Sequence, residues 1–100
     1  MAKYKVYISP QAYREIDEIY VYIKEELFTE KAAIDLVDNI EDAIISLDEF
    51  PERGAERKVG AYAYQGDRQL FVNNYMIVYR VDKGDKTVMV ITVRYSHSEF

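Results

Sequence analysis

The sequence predicts an α+β domain with the element order β-α-α-β-β-β, in which an N-terminal helical hairpin packs on one face of an antiparallel sheet. Three observations lead to this prediction. The first residues alternate between polar and apolar, two stretches in the first half repeat apolar residues every three or four positions, and three strand-like runs fill the second half. The 100 residues, of which 49% are hydrophobic, suit a single globular domain spanning 1–100.

The first predicted strand is the stretch KYKVYIS, in which Tyr4, Val6 and Ile8 alternate with polar or tyrosine side chains. A helix follows, because Ser9 is a good N-cap and Pro10 fits a first helical position, where an amide hydrogen would have no partner. Its apolar residues recur at spacings of three and four and would form one stripe facing the core. This stripe consists of Ala12, Ile16, Ile19, Ile23 and Leu27.

A second helix is predicted to begin after Thr29, which can cap it, and to end before Pro51, which disfavours the helical conformation at Phe50. Its stripe consists of Ala33, Leu36, Val37, Ile40, Ala43, Ile44 and Leu47. Because only about two residues would separate the two helices, they should form an antiparallel hairpin.

The segment 51–67 contains glycines, a proline and charges of both signs, which indicates a loop, with a short extended piece at Tyr62–Tyr64. Three strands are then predicted at RQLFV, YMIVYRV and TVMVITVRY. Asn73-Asn74 and Asp82-Lys83-Gly84-Asp85 are turn sequences that would join them into an antiparallel meander. The first strand should join the same sheet.

The last two strands are apolar on both faces. Alternation places Ile77, Tyr79 and Val81 with Met89, Ile91, Val93 and Tyr95 on the face toward the helices. The other face would carry Met76, Val78, Arg80, Val88, Val90, Thr92 and Arg94. A solvated sheet face is normally polar, so we expect an open apolar floor, rimmed by arginines that include Arg68, to bind a partner. In the alternative, the loop 51–67 or the C-terminal tail folds over this floor.

Composition excludes several classes of function. The chain has no cysteine and one histidine, so thiol chemistry and a structural zinc site are excluded, and we predict neither metal nor cofactor. No apolar run is long enough to span a membrane and no secretory signal is recognisable, so we expect a cytoplasmic protein without a membrane partner. The net charge of -5 argues against a protein that binds nucleic acid through many phosphate contacts.

The charge is distributed unevenly along the chain. Residues 1–50 carry 5 basic and 12 acidic side chains, whereas residues 51–100 carry 8 basic and 6 acidic ones. A local basic patch would therefore have to come from the second half.

The element order, the stretch FPERGA and the long run RQLFVNNYMIVYRVDKGDKTVMVITVRYS resemble the RelE/ParE superfamily of bacterial type II toxins, also called plasmid-stabilisation proteins. The resemblance implies a compact toxin held inactive by a cognate antitoxin, whose disordered segment folds onto the helices and into the sheet groove. The two proteins would assemble as a dimer or a heterotetramer.

The superfamily contains two activities. RelE-type members are ribosome-dependent mRNA endoribonucleases, and in that case Arg94, His97 and Tyr95 would be the catalytic residues. ParE-like members bind and poison DNA gyrase. This chain has Met76 where nucleases tend to carry an arginine, so it is more similar to the ParE-like branch. In a third hypothesis, the chain is an inactive member of the superfamily.

In the ParE-like reading the partner-binding residues lie on the predicted floor and its rim. They are Arg68, Met76, Val78, Arg80, Val88, Val90 and Arg94. Two of the candidate residues also have simpler interpretations. A lone histidine near a chain end, such as His97, is commonly solvated, and Arg94 could pair with Glu99 or with an acid of a helix. We therefore interpret VRYSHSEF as the rim of a contact surface rather than a reaction centre.

Overall fold

The computed structural model describes residues 3–26, 29–60, 62–63 and 65–97. Its elements, in chain order, are β1 (Lys5–Ile8), α1 (Pro10–Glu26), α2 (Glu30–Ile45), a 3₁₀ turn (Ser46–Asp48), β2 (Ala55–Glu56), β3 (Asp67–Val72), β4 (Tyr75–Asp82) and β5 (Thr87–Tyr95). The predicted α+β class and the two adjacent helices are confirmed.

Both helices begin at the predicted caps. The Ser9 hydroxyl accepts a hydrogen bond from the Ala12 amide at 3.0 Å, and the Thr29 hydroxyl accepts one from the Ala32 amide at 3.1 Å. The predicted stripes form the core against the sheet, with Ala12, Ile16, Ile19, Ile23, Ala33, Leu36, Ile40, Ile44 and Leu47 buried. Leu27 of the first stripe lies outside the described residues. Within the described ranges, no helix has the length and apolar character needed to span a bilayer.

The sheet has the order β1-β5-β4-β3-β2 and is mixed rather than wholly antiparallel. Strands β3 to β5 form the predicted antiparallel meander, β2 extends it at the edge of β3, and β1 pairs with β5 in parallel. The helical hairpin, rather than a tight turn, connects β1 to the meander. Such a long connection permits a parallel pairing that a two-residue turn cannot make.

The extended piece in the segment 51–67 is not where it was predicted. It is β2, Ala55–Glu56, which pairs with the start of β3. Tyr62 instead has a positive φ of 68° and lies in a turn, and Tyr64 lies outside the described residues. Residues 55 and 56 become a strand because β3 offers them an edge, a feature that the local sequence does not reveal.

A β-bulge in β5 changes which side chains face the helices. Val78 lies opposite Thr92, but its neighbour Tyr79 lies opposite Val90, so Ile91 is an extra residue on β5. An extra residue reverses the alternation for the rest of the strand.

Val88 and Val90 consequently point into the helical core and are fully buried, whereas Met89 points away and is 43% exposed. Val88 and Val90 were predicted on the sheet face away from the helices, and Met89 on the face toward them. Both predictions are wrong. The cause is the bulge, since strict alternation from Tyr95 backwards gives the opposite assignment.

Candidate functional site

The sheet face away from the helices, here called the distal face, is covered at its centre by the chain itself. Val78 is 0% exposed there, and Arg57 lies over it with only 6% exposure. One guanidinium nitrogen of Arg57 is 2.9 Å from Gln69 Oε1 and 3.1 Å from Met76 Sδ. Gln69 is the direct cross-strand neighbour of Val78, so the arginine side chain spans this valine.

The open apolar floor predicted at Met76 and Val78 is therefore wrong. The alternative, in which the loop 51–67 folds over the floor, is the arrangement observed. An arginine is suited to this position because its aliphatic stem can pack on apolar side chains while its planar head forms hydrogen bonds.

Arg80, predicted to bind a partner, is held by a buried carboxylate. Its Nε and Nη2 donate to the two carboxylate oxygens of Asp67 at 2.7 and 3.2 Å. Asp67 is fully buried, and its hydrogen bond with Arg80 raises the pKa of that arginine. Although about half of the Arg80 side chain contacts solvent, its charge is compensated within the molecule.

Arg94 belongs to a network that closes the free edge of β5. β1 pairs only with residues 87–90, so the rest of β5 needs other partners for its outward backbone groups. The Ser9 hydroxyl donates to the Ile91 carbonyl at 2.8 Å, and Glu15 Oε1 accepts from the Val93 amide at 3.2 Å. The same carboxylate accepts from the buried Thr92 hydroxyl and forms an ion pair with Arg94 Nε at 3.4 Å.

The predicted pairing of Arg94 with a helix acid is thereby confirmed, with Glu15 as the acid. Glu99, the other predicted partner, lies outside the described residues.

Replacement of Glu15 by alanine should lower the free energy of unfolding by about 2 kcal/mol, because a buried hydroxyl and a strand-edge amide lose their acceptor. Hydrogen exchange of the Val93 amide should become faster than in the wild type. Glu15→Gln keeps an acceptor oxygen and should recover most of the protection. If Glu15→Ala leaves the Val93 exchange rate unchanged, this carboxylate does not close the strand edge.

Arg68 lies on the opposite side of the sheet from Arg80 and Arg94. It pairs in register with Tyr79, whose side chain is in the helical core. Its guanidinium donates to the Gly54 carbonyl at 2.6 Å and lies 3.8 Å from a carboxylate oxygen of Glu52. The predicted arginine rim is therefore wrong for Arg68, because the register of β3 turns it toward the helix side.

Three aromatic rings contact one another at the end of β5. The ring centroids of Tyr95 and Tyr75 are 5.7 Å apart in an edge-to-face arrangement, and those of Tyr95 and His97 are 5.2 Å apart. His97 is exposed at the end of β5. These contacts bring two members of the predicted catalytic set, Tyr95 and His97, next to each other.

A cleft of about 300 Å³ lies between α1 and the end of β5. We call it the aromatic–acidic cleft, and it is lined by Glu15, Glu18, Ile19, Tyr22, Tyr75, Val93, Arg94 and Tyr95. A second depression of about 260 Å³ adjoins it and shares the three tyrosines. The pKa of Tyr75 is raised, first by burial and then by Tyr22 and Tyr95, as expected when three hydroxyl-bearing rings converge.

The sequence reasoning did not identify this cleft. A usable signal was present, because Glu15, Glu18, Ile19 and Tyr22 follow the i, i+3, i+4, i+7 spacing of a single helix face. What the spacing could not show is which strand end would lie beside that face.

A family model of the ParE toxin of the type II toxin–antitoxin system, parDE, matches residues 6–100. The chain belongs to the ParE toxin family. No curated protein sequence matches this toxin significantly.

Solved structures with the same fold come from both branches of the superfamily. The toxin superposes on a chain of the chromosomal ParDE system from P. aeruginosa with a TM-score of 0.75 and 18% identity, covering 95% of this chain and 98% of that one. For the RelBE2 toxin–antitoxin complex from Mycobacterium tuberculosis the TM-score is 0.66 at 18% identity, with 93% and 98% covered. For the archaeal RelE–RelB complex from Pyrococcus horikoshii it is 0.63 at 14% identity, with 97% and 98% covered.

Among the residues that the structure describes, no group of three or more His, Cys, Asp or Glu side chains is arranged to hold a metal ion. Exposed features on this part of the surface include the half-exposed Arg80, the aromatic end of β5 and the aromatic–acidic cleft.

Proposed function

We propose that this toxin stops growth by binding a protein target of the DNA gyrase type, and that a cognate antitoxin neutralises it by binding the toxin. One observation carries the proposal: the two arginines on the distal face, which could hold a phosphate charge in a nuclease, are each engaged by a carboxylate of the same chain. The pairs are Arg80 with Asp67 and Arg94 with Glu15.

The geometry gives further support against RNA cleavage. Attack by a 2′-hydroxyl requires a proton acceptor and a cation at the same phosphate. Arg94 lies opposite Met76, which is four residues along β4 from Arg80, so the two arginines are about 13 Å apart along the strand. Arg68 is on the other side of the sheet. The arginines therefore do not converge on one phosphate with Tyr95 or His97.

The antitoxin enters the proposal through the family and the structural neighbours. The family model describes the toxin of a type II toxin–antitoxin system, and the RelBE2 neighbour is a toxin–antitoxin complex. A toxin with an exposed aromatic cleft and a charge of -5 would be matched by a partner segment carrying apolar and basic side chains.

The test is expression of the toxin without its antitoxin, followed by measurement of growth, transcript integrity and plasmid supercoiling. We expect growth to stop, transcripts to remain intact, and supercoiling to change as it does when gyrase is inhibited. The variant His97→Ala should be as toxic as the wild type, because the exposed imidazole has no chemical role in a binding mechanism.

Codon-dependent cleavage that disappears in His97→Ala would contradict this proposal and establish the ribosome-dependent endoribonuclease. Harmless expression of a folded, soluble chain would reject both activities and support the inactive reading.

A further inference from the structure

We infer that the aromatic–acidic cleft is the docking site for an arginine side chain presented by the antitoxin. The inference rests on the proposed function, since it names the chemistry by which the antitoxin would be held. It is drawn from the charge, the walls and the size of the cleft.

The charges in the cleft do not balance. Glu15 is compensated by Arg94 and saturated by hydrogen bonds from Thr92 and Val93. Glu18 lines the same cleft and has no ion-pair partner within the described ranges of the chain. The Glu18 carboxylate is therefore available to an incoming cation, beside the Glu15–Arg94 ion pair.

The walls suit a planar cation. Tyr22 and Tyr95 are 56% and 45% exposed, so part of each side chain is accessible from solvent, and Tyr75 packs in an edge-to-face arrangement with Tyr95. A guanidinium is attracted to the face of an aromatic ring and stacks on it more readily than an ammonium does. Ile19 and Val93, both buried, provide apolar contacts for the aliphatic stem of the arginine.

The size and charge exclude other occupants. A volume of about 300 Å³ is at the lower limit for ligand pockets and suits one side chain rather than a whole cofactor. An acidic side chain would be repelled by Glu18 and Glu15. A wholly apolar side chain would remove water from Glu18 without offering it a partner, which costs free energy.

The first test uses small probes and does not depend on the antitoxin. N-acetyl-arginine amide is titrated into the full chain while the ring resonances of Tyr22 and Tyr95 are followed by NMR, and N-acetyl-citrulline amide is the neutral control of the same shape. We expect the arginine probe to bind about tenfold more tightly, from a combined ring and carboxylate contribution.

The preference for arginine should disappear in Glu18→Gln and persist in Glu25→Gln, a matched change on an exposed part of α1. Equal affinity for both probes, or no change in the NMR resonances of the Tyr22 and Tyr95 rings, would overturn the inference.

The second test uses the complete toxin–antitoxin complex, with the antitoxin taken from the neighbouring reading frame. Glu18→Gln should raise the dissociation constant about tenfold, whereas Glu25→Gln should change it less than about twofold. One arginine of the antitoxin, changed to glutamine, should lose its effect when Glu18→Gln is already present.

The outcomes separate the two proposals. If the neighbouring protein does not bind the toxin, the proposed function fails, and the small-probe titration still decides whether the cleft binds an arginine side chain. If the antitoxin binds with normal affinity to Glu18→Gln and no arginine is coupled to Glu18, the inference alone is overturned.

Discussion

The variant Gly54→Ala is expected to lose about 3 kcal/mol of unfolding free energy, because a methyl group at this position has no room. A Cβ atom on Gly54 would lie 2.5 Å from the Gln69 carbonyl oxygen and 2.7 Å from the Tyr79 hydroxyl. The first atom belongs to β3, and the second to a ring that is fully buried in the core. Neither can move without disturbing the sheet. Urea unfolding, monitored by circular dichroism, measures the loss.

The close approach at Gly54 also makes a hydrogen bond, since its amide donates to the Tyr79 hydroxyl at 2.9 Å. Gly84→Ala is the matched control, because the nearest atom to its Cβ is Asp82 Oδ1 at 3.4 Å and its backbone is unstrained. We expect this control to stay within about 0.5 kcal/mol of the wild type. If Gly54→Ala has the same urea unfolding midpoint as Gly84→Ala, β3 can move enough to make room for the added methyl group. The glycine of FPERGA would then have no packing role.

The variant Arg80→Gln should lose about 3 kcal/mol, because it leaves the buried carboxylate of Asp67 without its cation. This value is at the lower end of the range for breaking a buried ion pair, since about half of the Arg80 side chain is already in water. The loss would be seen in the urea midpoint at neutral pH.

The pairing itself is tested by the second substitution, Asp67→Asn. In the double variant no carboxylate remains buried without a cation, so we expect recovery of more than half of the loss. Arg14→Gln, on the exposed surface of α1, should be near neutral and controls for the loss of one positive charge. No recovery in the double variant would mean that Arg80 stabilises the fold in some other way. Activity assays on Arg80 variants need this stability measurement, because loss of toxicity could reflect unfolding rather than a lost contact.

The sequence by itself determined the elements whose causes are local. Ser9 and Thr29 specify the helix starts because a capping hydroxyl needs only the amide three residues later. The stripes that include Ile16 and Ile40 specify the core faces of the helices because their spacing matches the helical period. The resemblance to the superfamily, carried by FPERGA and the final strands, was confirmed by the family model over residues 6–100.

Only the tertiary structure decided which residues of the sheet are buried and which are exposed. The bulge at Ile91 depends on how β4 and β5 align, and it moved Val88 and Val90 from the predicted contact surface into the core. Arg57 covers the predicted floor at Val78, and α1 delivers Glu15 to Arg94. These contacts join residues far apart in the chain, so their free energy depends on strand register and helix placement. Local periodicity carries information about neither.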